Sequence, residues 1–290
     1  MFAGFTQRLN FGMGGGTVSI PSAFPTRPIG QLGNFNTYAI NFIAATGITA
    51  SNQQSAINQL SYDLVNTGLM DKMVAIYPFV GGNATTHSFN LKDPRDANAA
   101  FRLTFNGGMT HSSTGIQFGG VNGYAVTYLN GLGNLPQTNM HISVYSRTTT
   151  VGNVYEVSLD NGSQFQQLRP GVNFFSGNAI INQGGISFTT TNTAQGYWIG
   201  SKTNTSTRFV FRNGVLNSAV TTFNDTTASP NFQFFIGARN SSGTPSIYTA
   251  KELAFVTIGL GLSQAECITL STIVATFQTT LGRNVWYFIN

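Results

Sequence analysis

The chain has 290 residues, of which 8% are charged and 41% hydrophobic, with 33 glycines; an ordinary globular domain carries about 25% charged residues. Asn, Thr, Ser and Gln must therefore cover most of the surface, and the 24 Phe, 10 Tyr and 2 Trp exclude an intrinsically disordered chain. The net charge of +5 does not imply a nucleic-acid partner, because the basic residues are scattered from Arg8 to Arg283 and the densest group, Lys92, Arg95 and Arg102, is interleaved with Asp93 and Asp96.

Residues 1–50 contain Gly14-Gly15-Gly16 and Pro21, Pro25 and Pro28, with neither helical periodicity nor sustained alternation. They read as an extended N-terminal arm. Phe2, Phe5, Phe11, Phe24, Phe35 and Phe42 make it too apolar for a flexible linker, so it is expected to pack on this chain or on a neighbouring subunit. The amino terminus lacks an apolar core of signal-peptide type, and no run approaches the ~18 apolar residues of a membrane span. The expectation is a soluble chain.

From Ser51 the pattern changes. Ser51 and Gln54 have capping-box spacing, and Ala56, Ile57, Leu60, Leu64 and Val65 recur at three and four residues, predicting a helix over 52–67 that Gly68 ends. A strand follows at Val74–Tyr77. Between about 74 and 260 short runs rich in Val, Ile, Phe, Tyr and Thr alternate with Gly/Asn turns: 100–105, 115–118, 124–129, 141–147, 154–159, 164–168, 186–191, 196–201, 207–211, 232–237 and 253–259. Many short strands at this spacing predict a sandwich or barrel. Asn213-Gly214 between alternating runs predicts a type I′ hairpin, and Asp160-Asn161-Gly162 a second one. Near the end, Ser263 and Glu266 form another capping box, opening a helix over 263–281 that stops at Gly282. Val285–Ile289 is apolar and is expected to add a strand or fill a groove.

Chemistry is sparsely provided. Nine carboxylates and three imidazoles are available, and no strand carries alternating acids. Asp93 and Asp96 read as an ion-paired turn, and Glu156 is an isolated strand acid. A glycosidase needs two acids flanking a cleft, so no catalytic residue is expected. His87, His111 and His141 lack ligand spacing, the first two reading as exposed loop residues, and Asp225 alone makes no calcium site, so neither metal nor cofactor is expected. Cys267 reads as a buried structural thiol. Tyr128, Tyr197 and Trp198 are candidates for a sugar-stacking face, since apolar rings among Asn, Gln and Thr suit neutral glycans; aromatic residues in sheets also pack in cores, and the two readings stand side by side.

Taken in order, several segments resemble phage virion proteins that carry a concanavalin A-like, laminin-G-like domain. They are Asp71–Gly82, His87–Asp93, Thr114–Tyr124, Ser143–Arg147, Phe211–Val215, Phe235–Gly237, Phe255–Gly259 and Leu262-Ser263 with Phe277–Arg283. The order is more specific than any single segment, and it covers about residues 52–284. The resemblance implies a mainly β, concanavalin A-like jelly-roll sandwich at 51–290 with one helix before and one after it. It also implies a non-enzymatic structural component of a tailed-bacteriophage particle (tail, fibre or capsid decoration), located in the virion and acting in assembly and surface display. Other virion proteins and copies of itself are the expected partners, host surface glycans further ones, and no specific nucleic acid. The alternatives are a carbohydrate- or receptor-binding module on the virion and a glycan-cleaving enzyme.

Overall fold

The structure, a computed structural model, describes residues 35–136, 138–161, 165–173, 176–181, 185–189, 193–221 and 229–286. Residues 1–34 of the expected arm, Gly162 of the second hairpin, Asp225 and the tail from 287 lie outside them. Two helices open the described chain, α1 (Thr37–Thr46) and α2 (Ser51–Asn66). The first corrects the reading of an extended segment up to residue 50. Asn36 caps α1 by accepting from the Tyr38 amide, Gly47 closes it in the left-handed region, and Ala39 and Phe42 are its buried residues. A helix of 10 residues, closed by caps at both ends and with Ala39 and Phe42 as its buried residues, carries too short an apolar stripe to show as periodicity.

The predicted helix at 52–67 is α2, with Ala56, Ile57, Leu60 and Leu64 buried, and it packs against the helix at Gln264–Thr280. Its cap differs from expectation. Ala50 occupies the cap position, Ser51 is already helical, and the Gln54 amide reaches back to the carbonyl of Ile48. Strands β1 (Met73–Tyr77), β2 (Thr104–Asn106), β3 (Met109–Ser112), β4 (Gly115–Phe118), β5 (Tyr124–Asn130) and β6 (Met140–Ser146) follow, with one-turn helices α3 (Ala84–His87) and α4 (Gly131–Asn134) between them. Then come β7 (Val157–Asp160), β8 (Phe165–Asn173), β9 (Ser176–Ile181), β10 (Gly185–Thr189), β11 (Gly196–Lys202), β12 (Arg208–Arg212) and β13 (Val215–Val220). The last are β14 (Gln233–Ile236), β15 (Arg239–Ser241), β16 (Thr244–Ser246) and β17 (Glu252–Gly259), before α5 (Gln264–Thr280).

Two sheets result. The eight-stranded sheet runs β13-β12-β11-β6-β17-β4-β3, with β1 also paired to β17; the nine-stranded sheet runs β10-β9-β8-β7-β14-β5-β2, with β15 and β16 attached at β7. Their inner faces meet in one core that includes Ile142, Val144, Trp198, Val210, Val256 and Ile258 from the first and Ala125, Leu129, Val157, Leu159, Leu168, Phe234 and Ile236 from the second. Two packed sheets are the fold the sequence predicts, with α2 and α5 as the predicted helices before and after them and α1 as an addition.

The local signals act as expected where they are strongest. Asn213 and Gly214 have φ of 52° and 76°, the two positive angles of a type I′ turn, and join β12 to β13. Ser263 accepts from the Glu266 amide while the Glu266 side chain accepts from the Ser263 amide, completing the capping box of α5. The predicted strand at 100–105 shortens to Thr104–Asn106, because Asn98–Ala100 form a 3-10 turn and Phe101 has φ 59°. Long-range partners hold that turn: the Asn90 amide donates to the carbonyl of Ala100, and the Tyr77 hydroxyl to that of Phe101.

Candidate glycan-binding face

The outer faces of the two sheets differ. In β5 burial alternates, so Ala125, Thr127 and Leu129 point into the core and Tyr124, Val126 and Tyr128 point outward. The partners Thr104 and Asn106 on β2 oppose Val126 and Tyr124, and Phe235 on β14 opposes Val126 on the other side. Tyr124 lies 4.9 Å from Phe235 and 6.4 Å from Tyr248, ring centre to ring centre, and Tyr248 is brought over the sheet by the segment leading into β17. Tyr124, Tyr128 and Tyr248 are each half-buried, with Phe235 as a nearly closed floor at 5% exposure.

Tyr128 is held in an unusual place. Its φ is 56°, and the register between β5 and β14 slips between Gln233/Asn130 and Phe235/Val126. A side chain in the left-handed region is strained, and a bulge is a common device for re-aiming a side chain at a functional surface. The Thr127 hydroxyl donates to the carbonyl of Phe234 and accepts from the Leu129 amide, filling the gap in the ladder, while Tyr128 and Thr104 share a hydroxyl hydrogen bond of 2.9 Å. The face thus offers ring surfaces beside hydroxyl and amide groups, and none of these outward residues is charged. Such a surface fits the C–H faces and hydroxyls of a neutral sugar.

Of the three aromatic residues singled out in the sequence, only Tyr128 is on this face. Tyr197 and Trp198 are 0% exposed, which corrects their reading as sugar-stacking residues, since neither ring is open to a ligand. Trp198 points into the core, its indole N–H donating to the Ala194 carbonyl with the Arg212 guanidinium over its ring. Tyr197 lies on the opposite side of the same strand, beneath α5, between Tyr145 and Phe255. Neighbours in a strand point to opposite faces, so adjacency alone argued against a shared platform. The same rule, applied to Tyr124 and Tyr128 four residues apart, finds the pair that does share one. Tyr248 belongs to no predicted strand and had no sequence signal.

Titratable groups are engaged elsewhere. Asp93 pairs with Arg95 and Asp96 with Arg102, as the ion-paired turn predicts. Glu156 meets Lys251 at 2.6 Å in a buried pair, Asp160 meets Arg239, Glu252 meets Arg147 and Glu266 meets Lys72. His87 and His111, expected in exposed loops, come together instead: His87 is 1% exposed at the end of α3, His111 is half-buried on β3, and their Nδ1 atoms are 3.0 Å apart. One must donate and the other accept, so the two rings are not both protonated; burial pulls the His87 pKa down to about 3, assisted by the neighbouring His111 and Arg283, and lowers that of His111 too. His141 is buried on β6 with Nδ1 donating to the Leu260 carbonyl and Nε2 accepting from Thr257, and burial holds it down to about 4. From there a buried chain runs through Thr257 and Ser143 to the Tyr197 hydroxyl. Cys267 is buried, and desolvation raises its thiol, as a structural role predicts. Among the described residues no group of three or more His, Cys, Asp or Glu converges as a metal site would require.

No family model matches the chain. No curated protein is similar enough in sequence to count as a match. Similar solved structures include botulinum neurotoxin type C, which enters cells dependent upon interaction with two ganglioside molecules (12% identity over 71% of this chain and 52% of that one, TM-score 0.51). Another is the Trypanosoma rangeli sialidase in complex with sialic acid (13% identity, 70% of this chain and 33% of that one, TM-score 0.50). A third is domain 4 of a GH43 extracellular arabinanase from Geobacillus stearothermophilus in complex with arabinotriose (15% identity, 69% of this chain and 98% of that one, TM-score 0.47). The chain spans about half of the toxin chain and a third of the sialidase chain. At these identities the likeness is one of fold: the chain is a mainly β, two-sheet sandwich of the kind these proteins contain.

Proposed function

We propose that this chain is a non-enzymatic module of a tailed-bacteriophage particle that binds neutral glycans on the open face of its nine-stranded sheet. The observation that carries the binding reading is the set of half-exposed rings on one face, Tyr124 beside Tyr248 and Tyr128 on a strained bulge, among uncharged hydroxyl and amide groups. A location in the virion is supported by the ordered sequence resemblance over about residues 52–284 and by the low charge. The engagement of six carboxylates by Lys or Arg side chains supports a role without acid/base chemistry.

A glycan array probed with the full chain, followed by titration of the best neutral oligosaccharide, tests the binding. Tyr124→Ala and Tyr248→Ala should each weaken it at least ten-fold with the melting temperature nearly unchanged; no neutral glycan bound, or variants binding as well as the parent, would overturn the reading. One observation favours an assembly role as well. β13 ends the eight-stranded sheet and exposes Val215 at 69% and Leu216 at 41%, apolar side chains on an edge strand that suit contact with another copy. Sedimentation of the parent and of Val215→Lys tests it, with a lower oligomeric state expected for the variant.

A further inference from the structure

We propose that the groove between α1 and the loop at 92–95 is a second binding site, for an acidic saccharide. It is an open cavity of about 610 Å³, with Tyr38, Asn41 and Ala44 on the α1 side and Lys92, Asp93 and Arg95 on the loop side. Tyr38, Asn41 and Ala44 follow helical spacing and so share one face of α1. The volume is that of a small-ligand site, about 300–1,000 Å³.

Lys92 gives the groove its selectivity. Its ammonium donates to the Met70 carbonyl at 2.8 Å, lies 3.4 Å from the Tyr38 hydroxyl, and sits 5.2 Å from the centre of the Tyr38 ring. All three partners are neutral, and among the described residues no carboxylate is within ion-pair distance of it. Asp93, the acid next to it, is taken by the Arg95 guanidinium through two nitrogens. Two cations and one carboxylate leave the groove with one positive charge in excess, on an ammonium already fixed in place; its backbone amide is anchored by Asn90. A ligand carboxylate is the group that balances it, and fixing the cation beforehand lowers the cost of the new ion pair. The ring edge of Tyr38 and the methyl of Ala44 offer apolar contact to a sugar, and the Asn41 amide and the rim of the Asp93–Arg95 pair offer partners to its hydroxyls. The site shares no residue with the tyrosine face and stands independently of it.

Amide NMR of the full chain, titrated separately with digalacturonic acid, 3′-sialyllactose and lactose, tests the proposal. At least one acidic probe should shift the amides of Asn41, Ala44 and Asp93 and bind ten-fold or more tighter than lactose. Lys92→Gln should erase that preference, and Ala44→Glu, an exposed change that adds a repelling carboxylate, should weaken acidic binding ten-fold while leaving the melting temperature unchanged. Groove binding should also survive Tyr124→Ala. The proposal is overturned if neither acidic probe shifts these amides, if lactose binds equally well, or if Ala44→Glu has no effect. Shifts confined to Tyr124 and Tyr248 would overturn it while leaving the neutral-glycan reading intact.

Discussion

The two sheets are built from similar strands, yet tyrosines on their outer faces have opposite fates. On the eight-stranded sheet Tyr145 and Tyr197 lie beneath α5, packed with Phe255 and Phe277, and a hydrogen-bonded chain from Tyr197 through Ser143 and Thr257 to His141 satisfies the polar atoms there. On the nine-stranded sheet Tyr124 and Tyr128 stay half-open. An outward position on a strand becomes core when a helix covers it and surface when none does. A buried hydroxyl then needs a partner, whereas an open one has water or ligand.

Arg283 ties the covered side together. It follows α5 at the Gly282 stop and donates to the carbonyls of Pro78, Phe79 and Ala254 and to the Gln278 side chain, with its charge wholly buried. Burial pulls its pKa down to about 9.

The contrast predicts a graded series. At the top, Trp198→Ala between the sheets should cost roughly 3–5 kcal/mol in urea unfolding; a loss under about 1 kcal/mol would break the assignment of this ring to the core. Arg283→Met, which keeps the bulk but orphans three carbonyls, should cost about 3 kcal/mol by the same measurement. The buried imidazoles come next. The folded-state pKa values of His87, about 3, and His141, about 4, lie below the unfolded value near 6.5, so the folded chain binds fewer protons in this window. Stability should be full above pH 6.5 and fall as pH drops from there toward 3, and the imidazole NMR signals of His87 and His141 should stay neutral at pH 5; protonation near 6.5 would contradict their burial. Ser263→Ala should remove about 1 kcal/mol by breaking the α5 cap. Smallest is Tyr248→Ala on the open face, which should change stability by less than about 1 kcal/mol while weakening neutral-glycan binding at least ten-fold; a change as large as that of Trp198→Ala would place this ring in the core instead.

The sequence by itself determined the class of fold, because its signals are local. Runs rich in β-branched and aromatic residues mark β5 and β17, alternation marks β12, Asn213-Gly214 can supply two positive φ angles, Ser263 and Glu266 are three residues apart, and Gly282 stops the last helix. It also foresaw the ion pairs around Asp93 and Asp96, which are close in the chain. Tertiary structure decided what depends on distant partners. Which outer face a helix covers sent Tyr197 to the interior and left Tyr124 and Tyr128 outside, while the second sheet closes over Trp198. Packing of segments distant in the chain brought His87 to His111 and Glu156 to Lys251, and the approach of Tyr248 to Tyr124 joins residues 124 positions apart. Periodicity says which side of a strand a residue occupies; only packing says whether that side meets protein or solvent.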